Sequence, residues 1–489
     1  MFKKYSISLL AYGLIYFINL ITIPIIISLS SERSYGEYVL LINFLTILFS
    51  LAPLGLGFRS KRDMPSKQSI QERSEIFFPQ FISNLFLSFL IGLLFVISFE
   101  FINQTFFENN LKINKLILFI YLVVFTVYSQ IQYIFKYTEK YILYNLISVL
   151  YPVFFVVFLA IAYFVENKFN LESLITSHVY SLSINCIIFS FFAYKIVGFK
   201  PKIYSKESLL WDIKYGSPLL ALTVFELIIS SSDRFIIASY INVSEVAYYS
   251  VAYTIAALML VFPKVFTISL EPRLMKLVDV GNEIEFKNTF DFSLNLFFVI
   301  SIPMIAGAYL LGQSAISIFI NNAFAENSSN VLSILMLGMF LNGVCILFSC
   351  ILLAYKKTNS LLYVNAISAI LNLLLNLTFF SFFQDIIFAA ISFVISYLLF
   401  TSIIVKIASS YLDINIFNRE FFKIIISVAM TSYFINYLLQ FFLVNNFLNL
   451  LLQIICFSIT YILLLVLLKS TIIMSIINSS YTFLRNKRT

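Results

Sequence analysis

The sequence predicts an all-α polytopic membrane protein of about fourteen transmembrane helices, with both ends on the cytoplasmic side. Three observations predict it. Of 489 residues, 61% are hydrophobic and only 11% charged, where a soluble domain carries roughly 25% charged residues. The apolar residues come in runs of about 20, the length of α-helix that crosses the hydrocarbon core. The basic residues gather in the short segments between alternate runs, as the positive-inside bias requires.

The first run, Ile7 to Leu29, follows Lys3 and Lys4. It is too long for a signal-peptide core and no small-residue cleavage site follows, so it reads as the first span. Further spans are predicted near 37–57, 76–101, 115–135, 142–165 and 173–194. After a basic linker, the next lie near 216–239, 247–270, 289–310, 328–354, 361–380 and 387–405. Two more follow near 421–443 and 448–468. The runs do not alternate in polarity and are too long for barrel strands of about 10 residues. With fourteen spans, 27 of the 32 Lys and Arg fall on the inner side, 4 on the outer side and one, Arg234, inside a span. A miscounted span midway would invert the signs after it, so the asymmetry supports the count.

The linker separates two sets of six spans. The predicted organisation is a six-helix bundle (1–195), a cytoplasmic linker (196–215), a second six-helix bundle (216–406), a helix pair (421–468) and a basic tail (469–489). A weak internal echo at an offset of about 211 residues aligns Tyr38 with Tyr249, and with small gaps Pro53 with Pro263 and Arg59 with Arg273. An even number of spans per half makes the halves parallel repeats, an arrangement used by secondary transporters.

Charged residues at membrane depth cost about 2.5–3.5 kcal/mol each on insertion scales and mark functional positions by default. The seventh span, GSPLLALTVFELIISSSDRFIIAS, carries three: Glu226, Asp233 and Arg234. Ser217–Pro218 reads as a helix cap followed by a first-turn proline. Glu226 and Asp233 are seven residues apart and share a helix face. Both are candidates for binding a coupling H⁺ or Na⁺, and Glu226→Gln is expected to abolish transport while the protein still inserts. Arg234 lies near the outer end, where snorkelling to the interface is the structural alternative. Asn365, Asn372 and Asn376 form one stripe of the eleventh span. Intramembrane Asn more often bonds helix to helix than contacts a ligand. Asp291 and Asn295 are four apart near the inner end of the ninth span. His178, the sole histidine, reads as a hydrogen-bonded packing residue, with proton coupling the alternative. Arg59, Lys61, Arg62, Lys264 and Arg273 would ring the inner mouth. Singly they read as topology charges; together they suit an anionic head group. The four cysteines sit in apolar runs with no ligand spacing around them, so neither metal nor cofactor is expected.

The segments LSSERSYGEYVLLINF, LGLGFR, SSDRFIIASYINVSEVAYYSVAYTIA and FPKVFTISLEPRLMK resemble Wzx-type polysaccharide flippases of the MATE-like (MOP) transporter superfamily. Ala247 departs from a position where that family often has Gly; Gly36 keeps it in the first half. The resemblance implies a non-enzymatic flippase of the bacterial inner membrane that carries undecaprenyl-diphosphate-linked oligosaccharides to the outer leaflet. For such a substrate Arg234, Arg59, Arg273 and Lys264 are the candidates for the diphosphate and Asn372 and Asn376 for the cavity, while Glu226, Asp233 and Asp291 are ion-coupling candidates on their membrane depth alone. Its partners would be the lipid-linked oligosaccharide, membrane lipids, and a polysaccharide polymerase with other assembly proteins; no nucleic acid is implied. The rival readings are a multidrug or cation exporter of the same superfamily, a lipid II flippase, and a membrane polymerase or ligase. The last needs catalytic residues on a sizeable outer loop, and the longest predicted here (102–114 and 311–327) contain neither His nor Arg.

Overall fold

The computed structural model describes residues 2–57, 60, 63–67, 69–107, 111–166, 169–200, 204–412, 414–439 and 447–475, with the backbone alone at 2–9, 166, 269 and 438–439. Among the described residues there are fifteen α-helices and no strand. They are α1 (Phe2–Leu29), α2 (Glu32–Leu51), α3 (Ile70–Phe107), α4 (Lys115–Tyr137), α5 (Tyr141–Glu166), α6 (Leu171–Val197), α7 (Lys206–Tyr240) and α8 (Val243–Ala257). Then follow α9 (Val261–Val280), α10 (Glu283–Phe319), α11 (Asn322–Ala354), α12 (Thr358–Phe382), α13 (Ile387–Ser409), α14 (Arg419–Leu439) and α15 (Phe447–Leu467). Away from their ends, helices satisfy their backbone donors and acceptors within themselves, which lipid demands. The chain is thus an all-α, multi-pass membrane protein. Each of the fourteen predicted spans lies mainly on helix, but residues 52–57 of the second are turns and 440–443 of the thirteenth lie outside the described residues. Among the described residues, twelve helical runs are long and apolar enough to cross a membrane; α7 and α14 are outside that set.

Polar residues set the helix boundaries. Ser31 caps α2 by accepting from the Ser34 amide, Asn170 and Ser173 cap α6 reciprocally, and Asn321 accepts from the Phe324 amide to start α11. These side chains satisfy amides that a helix N-terminus leaves open. The predicted eighth span is interrupted. A 3₁₀ turn at Leu258–Leu260 separates α8 from α9. Pro263 has no N–H to give the Met259 carbonyl, so the regular bond is missing where the helix tightens. The predicted cap at Ser217–Pro218 is corrected. α7 begins twelve residues earlier, with Ser205 as its N-cap, and Pro218 lies inside the helix. A single proline is tolerated there because neighbouring groups and local adjustment absorb the lost bond. At 1.5 Å per residue the 35-residue α7 is about 52 Å long. It outruns a hydrocarbon core of about 30 Å.

The chain divides into two compact units: 1–250 with 369–385, and 251–368 with 386–489. The division falls inside α8 and α12. In the first unit α3 packs on α4, α4 and α5 on α6, α1 on α5, and α2 and α3 on α7. Lipid gives no hydrophobic drive for helices to associate, so close approach and polar contacts matter more. Two glycine sites show this. A Cβ on Gly36 of α2 would stand 2.1 Å from the Val243 carbonyl oxygen. A Cβ on Gly216 of α7 would stand 2.1 Å from the carbonyl oxygen of Gly55, which itself has φ +85°. Each is backbone pressed on another segment.

In the second unit α11 packs on α9, α10 and α13, while α14 and α15 pack on each other and on α10. The Tyr461 hydroxyl donates to the Val299 carbonyl at 2.9 Å, tying α15 to α10. Glu420 closes the end of the pair. It accepts from Lys423 Nζ at 2.6 Å, from the Ser470 hydroxyl at 2.8 Å and from the Thr471 amide at 3.1 Å. Glu420→Ala is expected to cost about 1.5–3 kcal/mol, the usual worth of hydrogen bonds to a charged group. The readout is earlier proteolytic cleavage near 470 with insertion unchanged; cleavage at the parental rate would contradict it.

Candidate functional site

α7 carries polar side chains through an apolar helix, and its neighbours show why they are tolerated. Asp233 has no exposed surface, and Arg234 is 5% exposed. One Asp233 oxygen, Oδ2, accepts from the Tyr249 hydroxyl at 2.5 Å. The other, Oδ1, accepts from Asn376 Nδ2 at 2.7 Å. Asn376 Nδ2 also reaches Asn372 Oδ1 at 3.3 Å, which accepts from the Ser232 hydroxyl at 3.3 Å. Arg234 Nη1 donates to the Ser230 carbonyl at 2.8 Å and Nε to the Ser250 hydroxyl at 3.2 Å. Its guanidinium lies 5.8 Å from the centroid of the Tyr249 ring, within reach of cation–π attraction. Tyr249 therefore serves both charges, its hydroxyl the acid and its ring the base.

The helices place these groups by simple periodicity. Asn372 and Asn376 are four apart on α12 and stack on one face. Tyr249 and Ser250 are consecutive on α8, about 100° apart, and meet Asp233 and Arg234, also consecutive, on α7. The cluster retains two unpaired buried atoms, Asn372 Nδ2 and Asn376 Oδ1. An unsatisfied buried polar atom costs about 1–3 kcal/mol. An acid beside amide and hydroxyl oxygens, with spare acceptor capacity, has the donor chemistry for a proton or a small hard cation. Among the described residues, no three His, Cys, Asp or Glu side chains group as a metal site.

The structure thus brings together four of the sequence candidates: Asp233, Arg234, Asn372 and Asn376. Arg234 does not snorkel; it is turned inward onto α8. Glu226, two turns earlier on α7, is exposed. Asn365 only bonds its own helix, at the Leu361 carbonyl. The remaining candidates within the second unit are separate features. Arg273 is exposed and pairs with Glu285 at 3.0 Å, and Lys264 is exposed. Asp291 is half-buried; its carbonyl accepts from Asn295, whose Oδ1 accepts from Asn418 at 3.2 Å. Arg59, Lys61 and Arg62 lie outside the described residues.

His178 has a packing environment. Its Nε2 meets the Tyr38 hydroxyl and its Nδ1 the Tyr151 hydroxyl, both at 2.7 Å, and the ring stacks on Phe155 at 3.7 Å. Tyr249 and Ser250 were not singled out by sequence reasoning. The alignment of Tyr249 with Tyr38 was the available signal, and it marks a real parallel: each tyrosine presents its hydroxyl to a buried titratable side chain.

Comparison with known proteins adds an independent line. Residues 1–278 match the family described as polysaccharide biosynthesis protein, and residues 218–378 match the MatE family. A 115-residue stretch is 29% identical to a putative O-antigen transporter of Shigella flexneri, covering 24% of this chain and 27% of that protein. The matched part therefore spans about a quarter of that relative. Among solved structures, the lipid II flippase MurJ in an inward closed conformation superposes with a TM-score of 0.72 at 18% identity, over 94% of this chain and 97% of that one. An inward-facing multidrug resistance MATE transporter of the MOP superfamily gives 0.60 at 14% identity, over 83% and 98%. At these identities the likeness is one of fold.

Proposed function

The chain belongs to the polysaccharide biosynthesis protein family, and from that premise we propose that it is a flippase for lipid-linked oligosaccharides of the bacterial inner membrane. Its substrate would be an undecaprenyl-diphosphate-linked repeat unit for O-antigen or capsule. Such a head group cannot cross hydrocarbon unaided, because its charges and hydroxyls would lose water without replacement. A polar path would replace that hydration while the lipid tail stays in the bilayer. The charge asymmetry orients both ends inward, so substrate would enter at the cytoplasmic leaflet. Arg59, Lys264 and Arg273 would receive the diphosphate there, and Arg234 would meet it once released from Ser250. The two six-helix halves would alternate access to the two sides.

The observation that carries the mechanism is the buried Asp233 cluster. We place the coupling ion, H⁺ or Na⁺, at Asp233 with Asn372, Asn376 and Ser232. Glu226 is the second candidate, and Asp291 the third. A coupling ion must bind where its charge is felt, and a sealed acid on the helix between the halves of the sequence meets that need. The product would pass to a polysaccharide polymerase and other assembly proteins.

Deletion of the gene tests the function. Lipid-linked repeat units should accumulate on the cytoplasmic leaflet and surface polysaccharide should be lost, with both restored by the full chain. Unchanged surface polysaccharide would refute the proposal. The MatE match over 218–378 favours one second reading, a cation exporter. It predicts instead a gain in drug sensitivity with surface polysaccharide intact.

A further inference from the structure

Three consecutive residues of α8 each hold a different charged side chain. The Tyr248 hydroxyl donates to Glu32 at the start of α2. The Tyr249 hydroxyl donates to Asp233, and the Ser250 hydroxyl accepts from Arg234, both on α7. One turn earlier, the Val243 carbonyl and side chain lie directly under Gly36 of α2. The outer ends of α2 and α8 are therefore closed on each other. Further acids crowd this end: Glu245 is within electrostatic reach of both Glu32 and Asp385. The remaining charges at this end of α2 are Arg33 and Glu37, which pair at 3.2 Å.

We propose that residues 243–250 form a lever that links occupancy of Asp233 to opening of the outer end of α2, with Tyr248 and Tyr249 as its positioning residues. It rests on the reading of Asp233 as the coupling site. A proton or cation on Asp233 neutralises the carboxylate and takes away the charge assistance of its bond from the Tyr249 hydroxyl, so the hold on Tyr249 loosens. Tyr248 is the next residue on the same rigid turn. A rotation that moves Tyr249 from Asp233 also draws Tyr248 from Glu32 and shifts the Val243 carbonyl against Gly36. Freed of its hydrogen bond, Glu32 faces Glu245 as a like charge, with Asp385 acting on Glu245 as well, and the repulsion favours opening. With Asp233 empty and ionised, the three grips re-form and the end closes.

The test uses Val243→Cys in the full-length protein with its four native cysteines replaced. The rate of alkylation by an impermeant maleimide added from outside reports opening at the α2–α8 contact. Changing Na⁺ or pH is expected to alter the parental rate by at least about fivefold, the lower end of coupling between linked sites. Tyr249→Phe keeps the ring and removes one hydroxyl; its rate should no longer respond. Tyr248→Phe should raise the rate under both conditions. A full response in Tyr249→Phe would overturn the lever. A parental protein that fails to respond while Asp233→Asn is inactive overturns the lever but not the ion site. No response together with normal transport by Asp233→Asn overturns both.

Discussion

Asp233→Asn is expected to lower transport by about 5- to 150-fold, the span of coupling energies between linked sites, with membrane insertion unchanged. The two side chains have the same shape, so the amide can still accept from Tyr249 or Asn376. What it loses is the charge that would attract a proton or cation. Removing the charge while keeping its volume relieves the desolvation of Asp233 but takes a counter-charge from the buried Arg234 beside it, so the variant should be modestly less stable than the parent. This separates it from Asp233→Leu, which would also orphan two donors at about 1–3 kcal/mol each. Glu226→Gln is the control that assigns the role. If Glu226→Gln is silent and Asp233→Asn inactive, coupling resides in the cluster; the reverse pattern would move it to the exposed acid. Transport is read as outer-leaflet oligosaccharide per unit of inserted protein.

Gly216→Val is expected to be among the most destabilising single changes in the first unit, alongside a like change at Gly36. A Cβ at this position would lie 2.1 Å from the Gly55 carbonyl oxygen and 2.7 Å from its carbon. The obstacle is backbone, so no side chain can turn aside. Overpacking of this kind costs about 1–3 kcal/mol, occasionally more, and α7 would have to part from the turn that follows α2. Shrinking a partner offers no rescue, because Gly55 already lacks a side chain. Gly216→Ala should act in the same direction, and Gly55→Ala adds backbone strain of about 1–2 kcal/mol at positive φ. Thermal stability in detergent measures the effect. A midpoint equal to the parent for Gly216→Val would contradict the close approach.

The spans were legible because hydropathy and charge act over twenty residues at a time. The fourteen runs predicted from pattern lie mainly on helix among the described residues, and the seventh stood out by its charges. Boundaries were less legible where proline misled: Ser217–Pro218 has the composition of a helix start, yet Ser205 is the cap. The Asp233, Arg234, Asn372 and Asn376 positions were legible one by one, since each is costly in lipid. Their meeting was not, because it depends on how α7 and α12 pack, and helix periodicity does not reveal which faces meet. Tyr249 and Ser250 were hidden by chemistry. Among 30 tyrosines a single phenol carries no signal until its hydroxyl is seen on a carboxylate. Glu226 and Asp233 share a helical face, as the spacing required, but only Asp233 is sealed and bonded.

The central claim is that this chain moves lipid-linked oligosaccharide across the bilayer through an ion-dependent step at Asp233. Purified full-length protein in vesicles carrying an undecaprenyl-diphosphate oligosaccharide tests it most directly. A glycosidase outside the vesicles reports the fraction of head groups in the outer leaflet over time. Digestion is expected to go beyond the half initially exposed, faster with an imposed Na⁺ or H⁺ gradient and absent with Asp233→Asn. Digestion that stops at the initially exposed fraction, with active protein and either gradient, would contradict it.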